Sequence, residues 1–194
     1  MKRMFIDVET TGLDERTAST VELAGAVDID GQVVDEFTWY IKPYGTEVSK
    51  ESLRTIGLTE QDLHDRGESV EVVVGKFKAL LDTHIDRYNK ADKFFFYAYN
   101  SPFDYRFTRA LWEGPGRLEY FGSYFWFPDM CIMRMVQEEL QGERSRIKNF
   151  KLLTVAEYLG IELNPQRLHA GRYDIDIARE VYYRLRGKKE VEVA

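Results

Sequence analysis

Residues 4–13 of the chain read MFIDVETTGL, and this stretch decides the fold. Met4 to Val8 predicts a short apolar strand that ends at the turn formed by residues 10–12. Side chains alternate across a strand, so Asp7 and Glu9 share one face and the apolar residues share the other. Two carboxylates on the covered face of a central strand are costly to bury unless they are paired or bind a metal ion. The alternative is that both carboxylates lie beyond the end of the strand, in solvent.

The rest of the chain predicts an α/β layer fold with a mixed sheet. Val21–Ile29 and Gln32–Ile41 are β-rich and flank Asp30-Gly31, a dipeptide typical of a tight hairpin turn. Apolar residues at helical spacing predict an amphipathic helix over residues 69–86. Further strands are expected at 94–98 and 124–129. A helix is expected to open at Ser101, as the capping residue, with Pro102 at its first position. Other helices are expected at 49–65 (as short turns), after the strand at 124–129 up to about residue 140, at 151–160 and at 174–186. No composition break is visible, so residues 1–187 are predicted to form one domain, followed by a polar tail at 188–194.

Charge and composition restrict the functional classes. The 194 residues carry 27 Lys and Arg against 33 Asp and Glu, a formal net charge of −6. An acidic protein that handles nucleic acid needs a local basic patch or bound cations that reverse the sign of an acidic cleft. The single cysteine, Cys131, excludes an internal disulfide and a multi-cysteine zinc site. The apolar runs are too short to cross a membrane and the N-terminus lacks a signal stretch, so a cytoplasmic protein without a membrane partner is expected.

Two further acidic residues occupy the first turns of predicted helices. Asp174 begins the stripe of the last helix that packs on the sheet, whereas Asp176 points elsewhere and serves as an internal control. The helix dipole favours acids in a first turn, which is the alternative explanation for Asp174 and for Asp104. His169 lies in the loop before the last helix, where histidines are more often surface residues than catalytic ones.

Three segments resemble the motifs of one nuclease family. FIDVETTGL (residues 5–13), NSPFDYRF (100–107) and HAGRYD (169–174) are similar, in this order, to the three exonuclease motifs of the DnaQ-like 3′–5′ exonucleases. The third segment has the His-x4-Asp spacing of the DEDDh branch, which includes the proofreading epsilon subunit of bacterial DNA polymerase III. The resemblance implies a ribonuclease H-like fold, with a five-stranded mixed sheet that has one antiparallel strand and is flanked by helices.

The resemblance also implies a two-metal hydrolysis of the terminal phosphodiester. It implies that two Mg²⁺ or Mn²⁺ ions are held by four carboxylates: Asp7, Glu9, Asp104 and Asp174. It further implies that His169 is the general base for the attacking water. Hard divalent cations prefer carboxylate oxygens, and imidazole titrates near neutral pH, so both assignments are chemically reasonable.

The resemblance implies substrate contacts from the first two motifs and from the segment that contains Glu51. The residues expected to bind the 3′ end are Thr10, Thr11, Gly12, Leu13, Glu51, Ile56, Asn100 and Phe103. Packing is the alternative role for Leu13 and Ile56. Ile56 and Tyr99 occupy positions where the family usually has histidine, and these departures concern substrate preference.

The expected function is a 3′–5′ exonuclease that releases 5′-mononucleotides from single-stranded nucleic acid, with DNA preferred to RNA. An exoribonuclease that trims RNA 3′ ends or short oligonucleotides is the alternative. An inactive nuclease-fold binding module is a remote alternative, because such a module has no reason to retain four carboxylates. The short stretch after the last predicted helix favours a free-standing enzyme over a proofreading subunit, and the chain is expected to be a monomer or a homodimer.

Overall fold

The computed structural model describes residues 1–46, 48–164, 166 and 171–187, and its centre is one mixed β-sheet. The strands are β1 (Lys2–Thr10), β2 (Thr20–Ile29), β3 (Gln32–Tyr40), β4 (Phe95–Ala98) and β5 (Met130–Cys131). They lie in the order β3-β2-β1-β4-β5. β2 runs antiparallel to both of its neighbours, whereas β4 is parallel to β1 and β5 is parallel to β4. The predicted five-stranded sheet with one antiparallel strand is therefore confirmed.

The hairpin between β2 and β3 forms at the predicted dipeptide. Asp30 has a φ of 54° and Gly31 has a φ of 92°, the left-handed backbone that a tight two-residue turn requires. This turn, together with a shift in register between Val27 and Asp28, places Glu22 opposite Tyr40 and Ala24 opposite Thr38.

Seven helices of the described residues cover the two faces of the sheet. They are α1 (Lys50–Thr55), α2 (Glu60–Arg66), α3 (Val70–His84), α4 (Ser101–Glu113), α5 (Ile132–Glu139), α6 (Leu152–Tyr158) and α7 (Gly171–Leu185), with short 3₁₀ turns at Phe121–Ser123 and Gln141–Glu143. No helix within the described ranges is long and apolar enough to cross a membrane.

The alternation predicted for β1 divides the core into two halves. Met4, Ile6 and Val8 face a cluster that contains the buried stripe of α3 and the inner face of α4. Phe5 faces the other cluster, which is built from α5, α6 and α7. Asp7 and Glu9 have the same parity as Phe5, so their side chains point to the α7 side where the apolar packing ends.

Two sequence-based expectations about local structure are wrong. Residues 124–129 form no continuous strand: Phe125 makes an isolated bridge to Phe94, and the paired strand begins only at Met130. Pro128 has no N–H to donate to a neighbouring strand, which explains why strand pairing begins only after it. Asn100, rather than Ser101, is the N-cap of α4. The Ser101 hydroxyl instead donates a hydrogen bond to Asp129.

Candidate active site at the carboxyl end of β1

Four acidic side chains from three elements meet at the carboxyl end of β1. Asp7 and Glu9 lie on the strand, and Asp104 and Asp174 lie in the first turns of α4 and α7. The Val8 backbone N–H donates to Asp104 Oδ1 at 3.2 Å, which ties α4 directly to the strand. The charges of Asp104, Glu9 and Asp174 all act on Asp7. The structure thus brings together the four carboxylates that were predicted to bind metal.

The electrostatics of this group favour protonated carboxyls or a bound cation. Burial is the largest cause of each shift, and it raises the pKa of Asp7 well above its usual range, with Coulomb repulsion from the neighbouring acids adding to it. Burial and the adjacent charge of Glu22 raise the pKa of Glu9 to about 8. Burial raises the pKa of Asp104 to about 7, although the hydrogen bond from Val8 opposes the rise.

A buried carboxylate elsewhere in the molecule shows the contrast. Asp28 is fully buried on β2, but Arg3 and Arg179 pair with it at 3.2 and 2.8 Å. Within the described residues, Asp7, Glu9 and Asp104 make no comparable pair with a lysine or arginine. Buried charge is normally compensated by a partner or a metal ion. The active-site carboxylates therefore have the chemistry of ligands for an external cation.

This donor set fits Mg²⁺ or Mn²⁺. Both are hard cations that bind carboxylate oxygens, and each would offset the repulsion that raises the pKa of these acids. In the part of the chain that the structure describes, no group of three or more His, Cys, Asp or Glu side chains is already arranged to hold a metal ion. The side chains are nevertheless near enough to shift one another's titration.

An open cavity of about 540 Å³ adjoins the carboxylates. Glu9 lines it, together with six of the eight residues predicted to bind substrate: Thr10, Gly12, Leu13, Glu51, Ile56 and Phe103. Leu13 is 80% exposed at the rim, so it does not pack in the core. Ile56 is half-buried and packs on the small cluster around Leu53. The volume lies in the range typical of small-ligand pockets.

The other two predicted substrate residues do not line this cavity. Thr11 is fully buried, where its Oγ1 accepts the Ser19 N–H at 2.8 Å and its carbonyl accepts the Ser49 N–H at 3.0 Å. Thr11 therefore joins the loop after β1 to the start of α1. Asn100 is exposed at the N-cap of α4. Their contact with substrate stays a prediction.

The third motif is described only from Gly171 onward, so the predicted base His169 lies outside the described residues. Asp174 stands in the first turn of α7, as predicted. Asp176 forms an ion pair with Arg172 on the same helix. Tyr99, which replaces the family's usual histidine, donates its hydroxyl to the Phe150 carbonyl at 2.8 Å and so anchors the loop before α6.

Sequence reasoning missed two acids next to the site. Glu22 is the direct cross-strand partner of Glu9 and is only 6% exposed. Asp129 accepts the Ser101 hydroxyl and contributes to the raised pKa of Asp104. Asp7 was singled out because it is an acidic residue within an otherwise apolar strand. Glu22 shows the same pattern in β2, so the sequence could have identified it as a candidate site residue.

Comparison with known proteins identifies the family. A family model described as exonuclease (RNase_T) matches residues 4–182, nearly all of the chain that the structure describes. The chain belongs to this exonuclease family. It is a DnaQ-like exonuclease of the DEDDh type, and this group consists of metal-dependent 3′–5′ exonucleases.

Curated relatives and solved structures agree with this assignment. The DNA polymerase III PolC-type of Thermotoga petrophila is 32% identical over 182 residues, which cover 93% of this chain and 12% of the relative. The PolC-type polymerase of Listeria monocytogenes is 30% identical over 110 residues, 57% of this chain and 7% of the relative. The exonuclease thus spans about an eighth or less of the length of these relatives.

Two solved structures show the same fold. The nuclease domain of 3′hExo, a DEDDh family member bound to rAMP, has a TM-score of 0.73 at 21% identity, covering 96% of this chain and 92% of that one. E. coli exonuclease I in complex with a dA16 oligonucleotide has a TM-score of 0.76 at 17% identity, covering 97% of this chain and 41% of that one. The ribonuclease H-like fold expected from the sequence is confirmed.

Proposed function

We propose that this exonuclease removes 5′-mononucleotides one at a time from the 3′ end of single-stranded nucleic acid, with DNA preferred to RNA. Two divalent cations, Mg²⁺ or Mn²⁺, would be held by the carboxylates of Asp7, Glu9, Asp104 and Asp174. The observation that carries the proposal is the meeting of these four acids from β1, α4 and α7, one of which, Glu9, also lines an open cavity.

The cavity offers a terminal nucleotide both apolar and polar contacts. Phe103 and Leu13 present a ring and an exposed aliphatic side chain on which a base can stack. Glu51, exposed in the first turn of α1, is placed to accept a hydrogen bond from a sugar hydroxyl of the 3′ nucleotide. A free 3′ end is then required, because a 3′-phosphate would meet the Glu51 carboxylate.

The reaction is hydrolysis of the last phosphodiester. When bound, the cations supply charge stabilisation to the phosphate and to the leaving oxygen. Water attacks the phosphorus, the bond to the O3′ of the penultimate nucleotide breaks, and that O3′ takes a proton from solvent as the 5′-mononucleotide leaves. His169 accepts the proton of the water, as a group that is neutral near pH 7 can do. Glu9 links the two parts of the site, because it belongs to the carboxylate group and also lines the cavity.

The preference for DNA is supported by the relatives, which are DNA polymerases of the PolC type. The test is degradation of matched single strands of DNA and RNA, each labelled at its 5′ end, in Mg²⁺. We expect a ladder that shortens from the 3′ end, faster on DNA, with 5′-mononucleotides as product. Faster degradation of the RNA strand would make the protein an exoribonuclease. Cleavage of a circular single strand would refute the exonuclease direction.

A further inference from the structure

Glu22 is a buried acid next to the carboxylate group, and the reaction described above gives it no role. It lies on β2, directly opposite Glu9 in the antiparallel register, with 6% of its surface exposed. Its negative charge is also the first of the neighbouring charges that raise the pKa of Glu9. A fifth carboxylate at this position is unfavourable for the metal-free site, so a specific contact must compensate for it.

The compensating contact is the amino-terminal end of α7. The Gly171 backbone N–H forms a hydrogen bond to the Glu22 carboxylate. Gly171 is packed so tightly here that a Cβ atom on it would lie 2.5 Å from Glu22 Oε1 and 3.3 Å from Asp7 Oδ2. The first N–H groups of a helix have no partner within the helix, and the helix dipole favours a negative charge beside them. Glu22 therefore accepts a hydrogen bond from an N–H group at the start of α7, the helix that carries Asp174.

Two residues on the outer side of Glu22 support its carboxylate. Tyr40 is the cross-strand partner of Glu22 on β3, and its hydroxyl faces the carboxylate. The guanidinium of Arg66, at the end of α2, stacks 3.9 Å from the centre of the Tyr40 ring and attracts the Glu22 charge. Glu22 is thus held from one side by β3 and α2, while it binds α7 on the other side.

We propose that Glu22 is a positioning residue for hydrolysis, because it fixes the start of α7 against β1 and so sets where Asp174 stands relative to Asp7. It acts through the main chain of Gly171 and touches neither the substrate nor a cation. What matters in this role is the reach of an acceptor oxygen, and the negative charge is dispensable. The inference rests on the proposed roles of Asp7 and Asp174.

The first experiment separates reach from charge in the full-length protein. Glu22→Gln keeps an oxygen at the same distance without the charge, whereas Glu22→Asp keeps the charge and withdraws it by one methylene. With a single-stranded DNA oligonucleotide and saturating Mg²⁺, we expect Glu22→Gln to keep kcat within about threefold. Glu22→Asp should lose kcat by about 10²-fold, the order expected for a displacement of about 1 Å, at nearly unchanged KM. The opposite order, with Asp active and Gln impaired, would overturn the proposal.

Glu36→Ala is the matched control. Glu36 also joins a strand to the first turn of α7, but through an exposed ion pair with Arg172. The Glu36→Ala variant should keep the wild-type kcat, since exposed ion pairs contribute little to the stability of a structure. Rates are compared per folded protein, with the folded fraction taken from circular dichroism melts. A purely structural role for Glu22 would lower the melting temperature of Glu22→Asp but leave its kcat per folded molecule intact, and that result would also overturn the proposal.

A double-mutant cycle tests the contact itself. Gly171→Ala alone should lower kcat, because its Cβ would lie 2.5 Å from Glu22 Oε1 and would displace that carboxylate from the start of α7. In the Glu22→Asp background the carboxylate is withdrawn, so the added methyl group should cost little more. Fold-losses that simply multiply would show that Glu22 and Gly171 act independently, against the proposal. Asp7→Asn in the same assay tests the proposed site. If Asp7→Asn stays active, the proposed site is wrong. If Asp7→Asn is inactive while the Glu22 and Gly171 variants all keep wild-type activity, only the role of Glu22 fails.

Discussion

Removal of divalent cations should make this protein less stable as the pH rises from about 5 to 8. Folding raises the pKa of Glu9 from 4.5 to about 8 and that of Asp104 from 3.8 to about 7, chiefly through burial. A group whose pKa is raised by folding binds more protons in the folded state than in the unfolded state over this window. The free energy of unfolding therefore falls with pH, and the stability present below pH 4.5 is lost by pH 8.

The size of the loss follows from the shifts. One pKa unit corresponds to about 1.4 kcal/mol, so the shift of Glu9 gives an upper figure of about 5 kcal/mol. Glu9 is half-buried beside an open cavity, and solvent screening reduces this to about 3 kcal/mol. The contribution of Asp104 is not added in full, because its charge is one of those that raise the pKa of Glu9. A loss of this size is a large part of the stability of an ordinary domain.

Urea unfolding followed by circular dichroism, at half-unit steps from pH 5 to 8 in EDTA, measures this loss. Saturating Mg²⁺ should flatten the profile, because a ligand that binds only the folded state stabilises it. Glu9→Gln in EDTA should show a shallower profile and be more stable than the wild type at pH 8. An unfolding free energy that is constant or rises over this range in EDTA would refute the reasoning.

Three further outcomes test individual residues. In an assay of nucleotide release in Mg²⁺, Asp174→Asn should abolish hydrolysis with the fold retained, whereas Asp176→Asn should keep most activity, because Asp176 is engaged in an ion pair with Arg172. Equal loss in the two variants would contradict the placement of α7. His169→Ala should lower kcat by about 10²- to 10⁴-fold and leave the affinity for metal unchanged. The wild-type rate should rise with pH through a pKa of about 6.5, and this rise should be absent in the variant. An unchanged pH–rate profile would mean that another group is the base. Leu13→Ala should raise KM for single strands without a change in melting temperature, since Leu13 is 80% exposed; a clear fall in melting temperature would indicate a packing role instead.

Local patterns in the sequence predicted much of the scaffold. The Asp30-Gly31 turn, the buried stripe of α3 and the shared face of Asp7 and Glu9 all depend on the backbone within a few residues, where turn geometry and side-chain alternation operate. The three motifs, through their resemblance to a known family, predicted the order of the carboxylates and the mixed sheet. The same patterns misplaced β5, because the effect of Pro128 on strand pairing depends on the neighbouring strand.

The tertiary structure alone decided which distant groups meet. Glu22 opposes Glu9 because of the register between two antiparallel strands, and it binds Gly171 because α7 packs across that register. Thr11 belongs to the first motif, yet it is buried in the interior, where its carbonyl accepts the N–H of Ser49 at the start of α1. In each case the contact joins two segments that are far apart in the sequence. Their relative position is set by the burial of apolar side chains between the sheet and the helices that pack on it. The spacing of residues along the chain determines the face on which a side chain lies, whereas the packing of the assembled layers determines its partner there.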